Sequence, residues 1–476
     1  MSLRRIDARF LLPFIPQRAA VVAGTEDWRE WLPKAGVALD TPDPELVVGD
    51  GEPAATGRPK ALLVEAGRPR APRDYDVRRF AALPSLEDQS LLVPLDRPNV
   101  AAYALETWLF PATRQRALAK RALVALPRLG LALRRSPKVT IALREPGRPA
   151  LVAAAAARCG VDDDADWFVV CGQGDELSRG VFVLFPAGAR RPAWALKFAR
   201  VPGYREPFDR DEAALTLAAT AGGAAAARAP RLLGRFEVAG YEASVETAAV
   251  GSRLSGVLRA TRSRGDRLRL VEAVADWLVE VALETRGARG SASDEAQRLR
   301  RDVVPAWPGI DASLLNGIDE LPGVLTHNDL GGWNVVVEDR DRFTAVDWES
   351  ARAGGLPLWD LWYFLASVLP QVDRTKSDPR TAFVELFRGD AASSGLLFER
   401  TRALADVLSI PDAAVGRLTT LCWLHHGLSH SAREEALARH APAAPAMTWA
   451  ASQYAQAWLA DPDLGPTWSR WLTSQG

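Results

Sequence analysis

The chain has 476 residues, of which 48% are hydrophobic and 25% charged, and its 59 basic and 59 acidic side chains give a formal net charge of zero. This length predicts two or three domains, and no apolar run is long enough to cross a membrane. The neutral balance argues against nucleic acid as the main partner. Three scattered cysteines at 159, 171 and 422 favour a reducing, cytoplasmic location without disulfides or a zinc site.

The first 155 residues carry short apolar runs at residues 19–24, 45–50 and 60–67, separated by polar or helical stretches. This alternation predicts a small α/β domain of unknown role over residues 1–155. Gly24 alone follows the first run, so the glycine-rich fingerprint of a dinucleotide-binding fold is missing and no cofactor is assigned here. A structural or substrate-presenting role is the favoured interpretation.

Residues 112–148 are strongly basic, with ten basic residues and one acidic residue interleaved with Leu and Ala. Two interpretations are open. In one, the segment is a helix that makes weak contact with a membrane surface. The favoured alternative is an amphipathic helix and linker whose Arg side chains face solvent, interrupted at Pro127 and Gly130.

The apolar runs 167–171 and 181–186 predict two strands of a hairpin. The loop between them, GQGDELSRG, contains Gly172, Gly174 and Ser178, and its glycines let backbone amides approach phosphate oxygens. Such loops are usually plain turns. The next apolar strand carries Lys197, one of only six lysines among 59 basic residues, and a buried strand does not hold an ammonium group without a partner.

The segment LTHNDLGGWNVVVEDRDRFTAVDWES, residues 325–350, places His327, Asp329, Asn334 and Asp347 between short apolar runs that predict buried strands. The polar residues therefore fall on a loop and at strand ends, where side chains converge. Asp329 can accept a proton from a hydroxyl, while Asn334 and Asp347 offer the hard oxygens that suit magnesium. A plain turn is the weaker alternative, because two of the four Asn residues of the chain lie in this loop.

The spacing His-x-Asp-x-x-x-x-Asn followed by Asp-Trp-Glu resembles the aminoglycoside phosphotransferase and choline kinase family, which are protein-kinase-like small-molecule kinases. The resemblance implies that Asp329 is the catalytic base, that His327 shapes the loop, and that Asn334 and Asp347 hold Mg²⁺. The position after the histidine is often Gly in that family, whereas Asn328 stands here. This departure is expected to affect loop geometry and to leave the base and metal positions intact.

The same resemblance implies an α+β, protein-kinase-like, two-lobed fold after the α/β domain, with a small antiparallel sheet lobe over residues 156–250 and a helical lobe with the catalytic loop over 251–476. ATP and Mg²⁺ are the implied cofactors. The glycine loop, with Gly172, Gly174 and Ser178, would cover the nucleotide phosphates.

By the same resemblance, Lys197 would contact those phosphates and pair with an acidic residue on the following helix, which is predicted to begin near Asp209. Glu212 is the chosen partner, and Asp211 is the alternative because neighbouring helical residues point about 100° apart. The stretch from Glu246 to Ala249 would link the lobes and bind adenine through backbone groups, with Thr247 and Ala249 as contact residues.

Asp360, at the head of a later apolar helix, is interpreted as structural, able to brace the catalytic loop. The acceptor would be bound by the helical part, where residues 351–476 hold twelve acidic and eleven basic residues and seven of the sixteen Trp. That balance disfavours a polycationic acceptor, and aromatic faces suit sugar rings. The cluster of His425, His426 and His430 is interpreted as helix packing or acceptor lining in preference to a metal site.

The sequence therefore predicts an ATP-dependent kinase acting on a hydroxyl of a small molecule, favoured to be a sugar or sugar-containing metabolite. Two alternatives stay open. One is a catalytically silent kinase-like binding or scaffold protein, which the intact set of Lys197, Asp329, Asn334 and Asp347 disfavours. The other is an aminoglycoside-resistance kinase.

Overall fold

The computed structural model describes residues 5–22, 26–49, 58–65, 73–84, 90–110, 120–121, 124–125, 138–171, 177–440 and 450–474. Over these residues the chain forms a mixed α/β fold with one large sheet and many helices. It divides into two compact units. Unit 1 holds the described residues up to Asp209 together with Arg231–Val250, and unit 2 holds Arg210–Pro230 and the described residues from Gly251 onward.

Unit 1 is built on a sheet that has twelve strands among the described residues. The strands are β1 Arg18–Val21, β2 Ala38–Leu39, β3 Leu46–Val48, β4 Ala61–Glu65, β5 Asp76–Pro84, β6 Ser90–Pro94, β7 Lys138–Leu143, β8 Asp166–Cys171, β9 Gly180–Phe185, β10 Trp194–Phe198, β11 Leu232–Val238 and β12 Tyr241–Thr247. Its helices are a 3₁₀ helix at Arg5–Leu11, α1 Glu26–Lys34, α2 Pro98–Trp108 and α3 Ala150–Cys159. The boundary between the units falls inside helix α4, Glu206–Ala221.

The strand order in this sheet is β11-β12-β10-β9-β8-β6-β5-β7-β4-β3-β1-β2. Strands β1 to β4 pair in parallel, as an α/β segment requires, and the remaining pairs are antiparallel. The hairpin predicted around the glycine loop is confirmed as β8 with β9, and β11 with β12 forms a second hairpin after helix α4.

The five antiparallel strands β8–β12 do not form a sheet of their own, contrary to the predicted small sheet lobe. Strand β6 pairs with β8, with Leu91 opposite Val170, so the sheet runs on into the strands of the first 155 residues. The boundary predicted near residue 155 therefore lies inside unit 1. Sequence periodicity reports which residues are buried but not which distant strand supplies the neighbouring backbone.

Both faces of this sheet are covered, which explains why its central strands are apolar at successive positions. In β8, Phe168 and Val170 pack in one buried cluster, whereas Val169 between them packs in the other. Alternate side chains of a strand point to opposite faces. The cluster that contains Val169 also takes in Phe10 and Phe198, whose rings lie 4.6 Å apart.

Unit 2 is mainly helical. Its helices are α5 Gly223–Arg228, α6 Leu254–Ala260, α7 Arg264–Glu284, α8 Ser293–Arg298, α9 Trp359–Asp373, α10 Pro379–Arg388, α11 Ser394–Leu408, α12 Asp412–His440, α13 Ala450–Ala460 and α14 Leu464–Ser474, with short turns of 3₁₀ or π helix at Leu299–Val303, Val304–Ala306 and Ala312–Leu315. Five short strands complete it: β13 Ser252–Arg253, β14 Val324–Thr326, β15 Val335–Val337, β16 Phe343–Ala345 and β17 Arg352–Gly355. Strands β14, β15 and β16 confirm the three predicted around the catalytic loop.

No helix among the described residues is long and apolar enough to cross a membrane. Most of the basic segment 112–148 lies outside the described residues. Its described end forms strand β7 within the large sheet. The predicted membrane-surface contact of this segment stays a prediction.

Gly251 lies where the chain enters the short sheet of unit 2, at a position that only glycine accommodates. Its φ is +126°, and a Cβ added there would lie 2.1 Å from the carbonyl oxygen of Val337. We expect Gly251→Ala to lower the free energy of unfolding by about 2 kcal/mol or more, because backbone strain adds to a clash with backbone. Gly309→Ala is the control for strain alone, since Gly309 has φ +85° and open space around it. Equal losses in denaturant unfolding of both variants would contradict the clash.

Candidate active site

Strand pairing brings the predicted site residues of unit 2 together. Strands β15 and β16 are antiparallel, with Val335 opposite Ala345, so the residue before β15 and the residues after β16 share one end of the hairpin. Asn334 is the residue before β15, and its carbonyl accepts a hydrogen bond from the Val346 amide at 2.8 Å. His327, just after β14, reaches the same point, with Nε2 3.1 Å from the Val346 carbonyl oxygen. Asp347 follows directly.

Asp360, in the first turn of α9, braces the loop, as predicted. Its two carboxylate oxygens accept hydrogen bonds from the backbone amides of His327, at 2.5 Å, and Asn328, at 2.8 Å. Asn328 has φ +60°, a left-handed conformation that Asn tolerates better than most residues. Its side-chain amide also donates to the Ser350 carbonyl at 3.2 Å. Asn328 therefore fills a position for which the resembled family often uses Gly.

His327 is a buried, neutral residue of the loop. Burial, the largest effect, lowers its pKa to about 4, although the carboxylates of Asp347 and Asp211 act in the opposite direction. A neutral imidazole donates Nε2–H to the Val346 carbonyl, and Nδ1 has no hydrogen-bond partner among the described residues. The ring also packs on Trp348, with centroids 4.8 Å apart. The predicted role of His327, shaping the loop, rests on these contacts and does not require a charge.

The lowered pKa of His327 predicts an acid-sensitive contribution to stability. The pKa is about 4 when folded against a reference of 6.5, so the unfolded chain binds a proton first. We expect stability to be complete above pH 6.5 and to fall by up to about 3 kcal/mol as pH drops through about 4. His327→Phe keeps a ring against Trp348 and removes this contribution. Denaturant unfolding between pH 4 and 7 measures it, and parallel pH curves for the two proteins would contradict it.

Asp329 has both carboxylate oxygens held by neighbours. The Tyr363 hydroxyl donates to Oδ1 at 3.1 Å, and the Asn334 amide donates Nδ2–H to Oδ2 at 3.0 Å. Burial and then the negative charge of Asp347 raise the pKa of Asp329 to about 8, although those two hydrogen bonds favour the ionised form. A carboxylate with a raised pKa accepts a proton more readily, which is the property that a general base needs near neutral pH.

Asn334 and Asp347 fit a magnesium ion by the chemistry of their donors. Because the Asn334 amide donates Nδ2–H to Asp329, its Oδ1 is the atom that can face a metal. Mg²⁺ usually takes one or two protein oxygens and completes its shell with water and phosphates. Asp347 has φ +69°, a strained backbone for a residue other than Gly, of the kind found at functional sites. No group of three or more His, Cys, Asp or Glu side chains among the described residues is placed to hold a metal.

In unit 1, Lys197 is buried in β10, as predicted, and an acidic side chain of the same unit pairs with it. Lys197 Nζ lies 2.9 Å from Glu246 Oε1, and both side chains are less than 10% exposed. Glu246 belongs to the neighbouring strand β12, where Ala195 is its backbone partner. From the sequence, Glu246 was predicted only as the first residue of the segment that links the two lobes. The alternation of Glu242, Ser244 and Glu246 along β12 is the signal that could have revealed a polar face.

The partner predicted for Lys197 on the following helix, Glu212 with Asp211 as the alternative, stays a prediction. In helix α4 Asp211 is buried, at 3% exposure, whereas Glu212 is exposed. The helix begins at Glu206, three residues earlier than predicted. Gly172 and Gly174 lie outside the described residues, and Ser178 is half-buried before β9. The role predicted for this loop stays a prediction.

The predicted adenine contacts at Thr247 and Ala249 differ in how their backbone is used. The Thr247 amide donates to the Arg231 carbonyl at 2.9 Å and the Ala248 amide to the Ala193 carbonyl at 2.9 Å, so both amides serve the sheet. Ala249 follows them, outside any strand. A backbone donor for adenine is therefore better sought at Ala249 than at Thr247.

Helix α12 adds aromatic contacts that the sequence analysis did not assign. The ring of His426 stacks on Tyr363, with centroids 4.0 Å apart and an interplanar angle of 18°. His425 stacks on Trp359 and lies with Nδ1 3.2 Å from Arg298 Nη2. The side chain of His430 is outside the described residues. Tyr363, one helical turn after Asp360, is the residue that reaches the site and was missed.

No protein-family model and no curated relative matches the sequence. Solved structures that resemble about half of the chain include aminoglycoside phosphotransferases. An aminoglycoside-3'-phosphotransferase of type VIII is 20% identical, with 53% of this chain and 97% of that chain covered and a TM-score of 0.32. An aminoglycoside phosphotransferase from Streptomyces rimosus is 15% identical over 53% of this chain and 89% of its own, with a TM-score of 0.32.

The same Streptomyces enzyme in complex with ADP and streptomycin is 14% identical over 52% of this chain and 88% of its own, again with a TM-score of 0.32. A TM-score of this size does not establish a shared fold. The function of this chain is therefore argued from its own side chains.

Proposed function

We propose that the protein is an ATP- and Mg²⁺-dependent kinase that transfers the γ-phosphate to a hydroxyl of a small molecule, a sugar or sugar-containing metabolite. The observation that carries the proposal is the arrangement around Asp329. Hydrogen bonds from Tyr363 and Asn334 hold its carboxyl group, and burial together with the negative charge of Asp347 raises its pKa. Phosphoryl transfer asks a protein for this combination of a proton acceptor and hard oxygen donors.

In the proposed reaction, Asp329 accepts the proton of the acceptor hydroxyl as its oxygen bonds to the γ-phosphorus, and the bond to the departing ADP oxygen breaks. Asn334 Oδ1 and the Asp347 carboxylate would hold Mg²⁺, which neutralises phosphate charge when bound. Lys197, whose Nζ lies 2.9 Å from Glu246 Oε1, is the proposed cation for the nucleotide phosphates. His327 and Asp360 hold the loop and do not touch the reacting atoms.

The sugar-like acceptor is proposed on the near-equal charge and Trp content of the helical part. Nearly equal numbers of opposite charges give little long-range attraction for a polycation, so an aminoglycoside is not the favoured acceptor. A catalytically silent scaffold is disfavoured by the buried, bonded state of Asp329. A scaffold has no need to hold a carboxylate in so unfavourable a place.

Calorimetric titration of the full chain with ATP, with and without magnesium, is the experiment that tests the proposal. Magnesium-dependent binding, followed by transfer of phosphate to a member of a panel of free sugars, is the expected result. Asp347→Asn should weaken the magnesium-dependent part of ATP binding. Folded protein that binds no ATP under either condition would overturn the proposal and favour the scaffold. Transfer to aminoglycosides alone would replace the acceptor class.

A further inference from the structure

One face of helix α9 bonds to the catalytic loop over the first half of the helix. Asp360, Tyr363 and Ser367 are spaced by three and four residues, so they lie on one side of the helix. Asp360 accepts the amides of His327 and Asn328, and the Ser367 hydroxyl accepts the Gly332 amide at 3.1 Å. Between them Tyr363 bonds to the Asp329 side chain.

Of these three residues, Tyr363 bonds to a side chain and the other two bond to backbone. The three backbone hydrogen bonds to Asp360 and Ser367 fix where the loop runs, but they leave the torsion angles of the Asp329 side chain unset. The Tyr363 hydroxyl on Oδ1 and the Asn334 amide on Oδ2 set those angles. A carboxylate held by a donor on each oxygen has one orientation, and its remaining lone pairs point in fixed directions.

Tyr363 is itself firmly held. It is 2% exposed, its ring stacks on His426 with centroids 4.0 Å apart, and Trp333 meets its edge at 6.0 Å. Burial raises the pKa of Tyr363 well above its ordinary value, so the hydroxyl keeps its proton and acts as a donor. A buried phenol needs a partner for its hydroxyl, and here one partner is Asp329.

We propose that Tyr363, held by the ring of His426, is a positioning residue that aims the Asp329 carboxylate at the acceptor hydroxyl. This inference rests on the proposed kinase function and adds to it a residue that the motif does not contain. Correct aim matters because proton transfer requires the accepting lone pair within hydrogen-bond reach of the hydroxyl. Tyr363 exchanges no proton with the substrate in this role.

Tyr363→Phe is the test, since Phe keeps the ring against His426 and Trp333 and removes only the hydroxyl. We expect kcat to fall about 10- to 100-fold, the loss typical of removing a group that orients a functional residue, while KM for ATP is unchanged. Tyr454→Phe is the matched control, because Tyr454 is also buried in unit 2, at 7% exposure, and stacks on Phe383 at 4.7 Å. Its kcat should equal that of the unaltered chain.

The outcomes separate this inference from the proposed function. If the unaltered chain transfers phosphate and Tyr363→Phe transfers it equally fast, the positioning role is overturned and the kinase function stands. If Tyr363→Phe raises KM for ATP and leaves kcat unchanged, a role in binding replaces that of aiming the base. If the folded, unaltered chain transfers no phosphate to any acceptor tested, the proposed function and the role of Tyr363 fall together.

Discussion

Asp329→Asn should abolish turnover while ATP binding is retained. The amide has the shape of the carboxylate but cannot take the proton of an attacking hydroxyl, so kcat should fall by a factor of about 100 to 10,000. Asparagine adds no negative charge near the phosphates, and magnesium-dependent ATP affinity should therefore survive. Steady-state kinetics together with calorimetric titration with ATP measure the two effects separately.

Asp339→Asn is the matched control, because it makes the same chemical change in the turn between β15 and β16. Asp339 is largely exposed and bonds to Arg342. Its variant should keep both turnover and ATP binding. Normal turnover in Asp329→Asn would remove Asp329 from the role of base, and lost ATP binding in it would show a disturbed loop.

The local elements around the site could be predicted from the sequence because each is defined by short-range patterns. The runs before Asp329, after Asn334 and before Asp347 are apolar and bounded by polar turn residues, and each is a strand. A polar residue at the end of a short strand is placed by that strand alone. The convergence of Asn334 and Asp347 follows once β15 and β16 pair as a hairpin.

What the sequence did not predict depends on contacts between distant segments. The pairing of β6 with β8 joins residues about 80 positions apart, and an apolar run carries no record of which strand will be its neighbour. The Lys197–Glu246 pair arises the same way, from two strands brought side by side. The order of charged residues along the sequence therefore does not predict an ion pair whose two members are brought together by the order of strands in the sheet.

Helix phase is a second feature that a single sequence does not determine. A helix turns about 100° per residue, so the choice between Asp211 and Glu212 requires knowing which face packs inward. Charge at the helix start favours both residues equally. Tyr363 was missed for a related reason: its apolar neighbours in α9 give no sign that one ring hydroxyl points toward a loop about 30 residues earlier. Asp360 identifies the face of α9 that lies on the loop, and Tyr363 is the residue one helical turn later on that face.

Asp360→Ala should destabilise the protein and reduce turnover together. The carboxylate of Asp360 accepts two buried backbone amides, those of His327 and Asn328, and alanine leaves both without an acceptor. An unpaired buried donor costs about 1–3 kcal/mol, so the free energy of unfolding should fall by about 2 kcal/mol or more. The same loop carries Asp329, and kcat should fall because the base is no longer fixed in place.

The pH dependence of this loss identifies its cause. Burial raises the pKa of Asp360 to about 6, so the folded chain keeps a proton that the unfolded chain releases near 3.8. The stability that Asp360 contributes therefore declines as pH rises through about 6, and the gap between the unaltered chain and Asp360→Ala should widen from pH 7 to pH 5. Asp276→Ala is the control, since the Asp276 side chain is 54% exposed and its ion pair with Arg400 is expected to be worth less than about 1 kcal/mol. Equal losses in the two variants, or a gap that narrows toward pH 5, would show that Asp360 does not brace the loop through a buried carboxylate.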